Sequence, residues 1–203
     1  SKKSVLISCR KHILMGKKGF VVEPSELDEN WNKNTFEKNI DKFKLLYVGR
    51  VKVEKGIYSL DNLLLSLNSN IFLTIVGSDK NRKKLKYNKI KMYPIESDQQ
   101  KLINFYDECD IFILPSFTEG HPMVLLEALS RLRPVIIFRD IEHIVGNKKG
   151  VFVSERNAES FFKILNLIKK NYNSIQKEMK QNILPKKKDF IDAFSKIVVS
   201  EIL

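Results

Sequence analysis

Two glutamates, Glu119 and Glu127, bracket the junction in "LPSFTEGHPMVLLEAL" (residues 114–129), where an apolar strand-like run stops at Pro115 and a helix-like run starts after Gly120. Carboxylates cost free energy when buried without partners, so a pair around a helix start implies that something polar is held there. Backbone N–H groups at such a start form an anion site, and Pro122 suits the first helical position. Glu127, one to two turns into the helix, is placed to accept two hydrogen bonds from a vicinal diol such as ribose. Arg50 and Lys55 stand at another strand end, "VGRVKVEKG" (48–56), where they would neutralise a diphosphate. A third strand end carries "VGSDK" (76–80). Together these residues describe a nucleotide-diphosphate pocket. Taken singly, Arg50, Lys55 and Glu127 read first as solvated surface charges, and Glu119 as a cap near the positive end of a helix.

The elements that would position these residues alternate. "KLLYVG" (44–49), "IFLTIVG" (71–77), "IKMYP" (90–94), "DIFILP" (110–115), "RPVIIF" (133–138) and "GVFV" (150–153) read as strands. Helices are expected over 56–68, 98–109, 122–131, 157–171, 173–182 and 188–202, with a short charged one after residue 77. Continuous apolar strands between amphipathic helices predict a doubly wound α/β domain, with a mostly parallel, Rossmann-like sheet covered on both faces. In such a sheet, ligands bind outside the carboxyl ends of the strands, where the residues above fall. The first forty residues break the rhythm. "SVLIS" (4–8) reads as one strand and "ELDENWNKNTFEKNID" (26–41) as an irregular connector. The chain starts without Met or a signal-peptide core and reads as part of a longer polypeptide, with residues 1–43 ending a preceding domain and 44–203 forming the α/β domain.

Composition narrows the function classes. At 203 residues and 43% hydrophobic content, the chain suffices for one domain with a sizeable core. No apolar run reaches the length of a membrane span. Cys9 and Cys109 show no metal or redox spacing, which suits a reduced cytoplasmic setting. The formal net charge of +12 favours anionic partners, and the bases cluster in "KNRKKLKYNKIK" (80–91) and "LPKKKDF" (184–190). Aromatics do not interleave with them as a base-stacking surface requires, so no nucleic-acid partner is expected. A solvated lysine-rich face is the plain reading of both clusters, and peripheral contact with an anionic membrane is the functional one.

"LLYVGRVKVEKG", "TIVG", "FYDECDIFILPSFTEGHPMVLLEALSRLRPVI" and "IEHIVGNKKGVFV" resemble, in that order, the second half of retaining glycosyltransferases of family 4, which have the GT-B fold. The resemblance covers roughly residues 44 to 165, and Glu119 with Glu127 match the family's Glu-x7-Glu signature. It implies that Arg50 and Lys55 neutralise the donor diphosphate without a metal, in keeping with the lack of an Asp-x-Asp motif. It also implies that Glu127 binds the donor ribose and that Glu119 is catalytic, near the donor sugar. Gly120, His121, Pro122, Met123 and Val124 match the segment that touches sugar and phosphates, and Tyr93 and Ile95 fall where the base is received. Where relatives read Gly-Gly-x-Pro-Glu, this chain has "FRDIEHIV", with Glu142-His143 in place of Pro-Glu; His12 and His143 read as incidental. The implied reaction is transfer of a sugar from a UDP-type donor to a glycan or lipid-linked acceptor, with acceptor binding in a missing N-terminal domain. A UDP-sugar 2-epimerase on the same scaffold and a non-catalytic nucleotide-sugar-binding subunit are the alternatives. On these assignments, Glu127→Ala weakens nucleotide binding and Glu119→Gln spares it.

Overall fold

The computed structural model describes residues 6–9, 19–32, 42–67, 70–77 and 85–201. It divides into two compact units, residues 33–182 and residues 1–32 with 183–203.

The larger unit is a six-stranded parallel sheet. Its strands are β3 (Phe43–Val48), β4 (Ile71–Val76), β5 (Ile90–Tyr93), β6 (Ile111–Leu114), β7 (Val135–Phe138) and β8 (Val151–Ser154), in the order β5-β4-β3-β6-β7-β8. Strand order reverses between β3 and β6, the topological switch point of a doubly wound sheet. Register there is set by Leu45 opposite Ile111 and Leu46 opposite Phe112. Every residue of β6 and β7 is buried, which is why both read as unbroken apolar runs. The helices are α1 (Ile57–Ser66), α2 (Gln99–Glu108), α3 (Met123–Ser130) and α4 (Ala158–Met179). Asp98 caps α2 by accepting from the Lys101 N–H at 3.0 Å, and Asn157 caps α4 by accepting from Ser160 at 2.9 Å.

The two helices foreseen over 157–171 and 173–182 run together as α4 and break where expected, at Asn171, whose dihedrals are non-helical (φ −115°, ψ 18°). The Asn171 side chain donates to the Leu167 carbonyl at 2.9 Å, the local competition with the backbone that made the break visible in sequence. The short charged helix after β4 falls largely on residues outside those described. Residues 85–87 are not helical: buried Asp61 on α1 accepts from the Lys86 and Tyr87 N–H groups at 2.8 and 2.9 Å. The domain reading had placed 183–203 with the sheet, and those residues group with the N-terminal segment.

In the smaller unit, β1 (Ile7–Ser8) and β2 (Phe20–Val21) pair in parallel, and α5 (Lys187–Glu201) is its helix. Ser25 donates to the Pro185 carbonyl at 2.6 Å, and the Lys187 N–H donates to Leu27 O at 2.8 Å. Val22 is buried, and so are Leu27 and Trp31, so the described start of the foreseen connector (26–41) is packed.

Candidate nucleotide-sugar site

The loops after β3 and β6 are neighbours because the strands are, and they touch through backbone. Gly56 (φ +67°) begins α1, and a Cβ there would lie 1.8 Å from the Pro115 carbonyl oxygen. Only glycine meets both the left-handed dihedral and the close approach. Beside it, the Phe117 N–H donates to Glu54 O at 3.1 Å, closing the two loops together.

This contact delivers Lys55 to Glu119. Lys55 closes a 3-10 turn (Val53–Lys55), and its Nζ lies 2.6 Å from Glu119 Oε1. The lysine side chain is 25% exposed and the glutamate 10%. Buried Ser116 donates to the same carboxylate oxygen at 2.7 Å. Arg50 is exposed at the exit of β3, and its carbonyl accepts from the Tyr47 hydroxyl at 2.8 Å. Burial first, then the negative field of Glu119, pushes the Tyr47 phenol well above its usual range, so it stays a donor.

Arg156, just past β8, braces the far side of the same loop. Its Nη2 donates to Ser116 O at 2.8 Å and its Nε to Asp140 Oδ2 at 2.7 Å. The guanidinium lies 4.0 Å from the Phe117 ring centre and 4.4 Å from that of Phe138. His143 Nε2 donates to the Glu119 carbonyl at 2.8 Å. A carbonyl can only accept, so this contact puts the proton on Nε2.

Glu127 is reached from α2. The hydroxyl of fully buried Tyr106 donates to Glu127 Oε2 at 2.7 Å. Burial raises the Glu127 pKa above its usual value and the Tyr106 bond opposes that rise. The turn before α3 is open: Gly120 is exposed, and a Cβ there would meet nothing within 4 Å. His121, Pro122, Met123 and Val124 are half-buried, and no side chain caps the α3 start.

Of the residues singled out by sequence, the structure bonds Lys55 directly to Glu119 and places Arg50 at the same strand end. Tyr93 and Ile95 lie at the far edge of the sheet. The exposed Tyr93 ring packs on Phe105 at 4.8 Å, bordering a groove of about 840 Å³ that also takes in Phe72 and several lysines. Ile95 is 74% exposed. His143, read as incidental, belongs to the site, and its signal was the departure "IEHIV" from the Pro-Glu pattern. His12 lies outside the described residues. Ser116, Tyr106 and Arg156 were missed. For Arg156 a signal existed, since "SERN" is a strand end carrying a cation just before a helix.

No group of three or more metal-ligating side chains occurs among the described residues. Nor, among them, is any helix long and apolar enough to cross a membrane.

The model of the glycosyl transferases group 1 family matches residues 28–184. TuaC of Bacillus subtilis (strain 168), named for teichuronic acid biosynthesis, is 28% identical over 123 residues, 60% of this chain and 31% of its own. The capsular polysaccharide biosynthesis glycosyltransferase CapM of Staphylococcus aureus is 27% identical over 165 residues, 73% of this chain and 43% of its own. The chain therefore spans less than half the length of these relatives. Among solved structures, Anabaena HepE in complex with UDP and glucose superposes with a TM-score of 0.70 at 15% identity, covering 97% of this chain and 63% of that one. At that identity the likeness speaks for the fold alone, the Rossmann-like sheet of GT-B enzymes. The family model covers most of the chain, including every candidate site residue, and the chain belongs to the glycosyl transferases group 1 family.

Proposed function

We propose that this chain is the donor-binding, C-terminal part of a retaining GT-B glycosyltransferase of family 4. It binds a nucleotide diphosphate sugar, UDP-linked by preference, and serves transfer of a hexose or N-acetylhexosamine to a glycan or lipid-linked acceptor. The observation that carries this reading is the Lys55–Glu119 contact, which joins the cation of one strand end to the signature glutamate of the next at the switch point. Arg50 and Lys55 take the diphosphate, and no metal is needed because they supply the countercharge. As the bond to the sugar breaks, the same positive charge stabilises the leaving diphosphate. Glu127 holds the ribose, and Glu119 faces the donor sugar with the segment from Gly120 to Val124. Gly120 supports this, because among the described residues nothing lies within 4 Å of a Cβ built there, which leaves room for a ligand.

The acceptor site belongs to a domain outside this sequence, the relatives' names speak of polysaccharide biosynthesis, and we place the reaction at the cytoplasmic face of a membrane. Contact of the basic segments with anionic lipid would hold the enzyme there. The 2-epimerase and the non-catalytic subunit have no observation in their favour. Calorimetric titration with UDP-, GDP- and ADP-sugars in the presence of chelator tests the proposal. Binding of at least one series is expected, and affinity that appears only with Mg²⁺ or Mn²⁺ would overturn the roles given to Arg50 and Lys55.

A further inference from the structure

We propose that Tyr106 is a positioning residue for the donor site, fixing the Glu127 carboxylate in the one orientation that meets a nucleotide ribose. The inference rests on the ribose role given to Glu127 above. A glutamate on a helix surface has three side-chain torsions and many accessible rotamers. Here one carboxylate oxygen is tied, at 2.7 Å, to a hydroxyl that cannot move. The Tyr106 ring is wholly buried and packs 5.5 Å from Phe112 of the central strand β6. The residue after it repeats the device. Asp107 accepts from Arg131 Nε at 3.1 Å and from Nη2 at 2.7 Å. Arg131 follows α3 and stands one helical turn beyond Glu127. Neighbouring residues of α2 therefore grip α3 at two points a turn apart, which sets the rotation and height of the helix that carries the glutamate. Oε2 is spent on Tyr106, and among the described residues none hydrogen-bonds Oε1, the atom left for a ligand hydroxyl.

A tyrosine that merely fills the core would leave ribose recognition indifferent to its hydroxyl. The test titrates UDP, GDP and ADP, and their 2′,3′-dideoxy counterparts, into the wild-type chain, Tyr106→Phe and Glu127→Gln. Tyr106→Phe is expected to weaken the nucleotide that binds by about tenfold, the low end for a hydrogen bond to a charged group. The dideoxy nucleotide should bind Tyr106→Phe and wild type alike. Glu127→Gln should show the same selectivity. Selective weakening by Glu127→Gln with wild-type binding by Tyr106→Phe overturns the positioning role, and so does equal weakening of both nucleotides by Tyr106→Phe. No loss in Glu127→Gln sinks the ribose assignment instead. If Tyr106→Phe fails to fold, 3-fluorotyrosine placed at 106 keeps the hydroxyl. Its ¹⁹F signal must then shift with the ribonucleotide and not with the dideoxy form, and absence of that difference overturns the inference.

Discussion

Replacing Glu119 by Gln should tighten nucleotide binding, against the sequence-level expectation that it would spare it. Lys55 is already engaged, 2.6 Å from Glu119 Oε1, and under the proposed function a diphosphate has to draw it away. The pair lies between two regimes: exposed pairs contribute about 0.2–1 kcal/mol, and hydrogen bonds to charged groups about 1.5–3 kcal/mol. With side chains 25% and 10% exposed, about 1–2 kcal/mol is the fitting range. Gln keeps an oxygen for Ser116, so the loop geometry is retained while the competing charge goes. At about 1.4 kcal/mol per tenfold, UDP affinity should rise roughly five- to thirtyfold. Calorimetry on wild type, Glu119→Gln, Lys55→Met and the double variant gives both the effect and its coupling to Lys55. Unchanged or weaker binding in Glu119→Gln, or the same gain when Lys55 is absent, would refute the competition.

Glu127→Gln should stabilise the empty protein as it weakens nucleotide binding. Burial raises the Glu127 pKa above 4.5, so the folded state holds that proton more tightly than the unfolded chain. The group's stabilising contribution is full below the unfolded value and is lost as pH rises through the folded one, so the gain in melting temperature should be larger at pH 7 than at pH 4. Gly56→Ala should cost about 3 kcal/mol or more in denaturant unfolding, because a left-handed dihedral and a Cβ 1.8 Å from Pro115 O cannot both be relieved; a loss under 1 kcal/mol would argue against the contact. Arg156→Met should raise proteolytic cleavage within 116–121, since Ser116 O, Asp140 and two aromatic rings lose a shared partner. Liposome flotation at low salt should favour anionic over neutral vesicles, at about 1 kcal/mol per engaged Lys or Arg, and equal flotation would remove the membrane reading.

The sheet was legible because strands buried on both faces leave unbroken apolar runs, and Phe43–Val48, Ile111–Leu114 and Val135–Phe138 fall within a residue or two of where they were expected. Glu119, Glu127 and Lys55 were singled out by their arrangement at neighbouring strand ends and by the resemblance of the surrounding segments, since each alone reads as a surface charge or a cap. What could not be read is which charges meet. Tyr106 looks in sequence like another apolar position of α2, and only the packing of α2 against α3 turns its hydroxyl toward Glu127. The contact of His143 with the Glu119 carbonyl could not be read, since the two lie 24 residues apart. Asn171 was legible, because its side chain competes for a backbone carbonyl of the preceding turn and the helix breaks there.

The bond between Lys55 and Glu119 spans 64 residues of chain, and the Gly56–Pro115 approach spans nearly as many. Neither exists until β3 and β6 have paired at the centre of the sheet, and such long closures come late and slowly. A nascent or half-assembled chain thus has the signature residues without the pocket. Under the proposed function, nucleotide occupancy would report a completed sheet and also hold it complete: at a ligand concentration of about 100 Kd, mass action adds about 2.7 kcal/mol to the folded state. In a cell whose donor pool fluctuates, the lifetime of this protein against proteolysis should rise and fall with that pool.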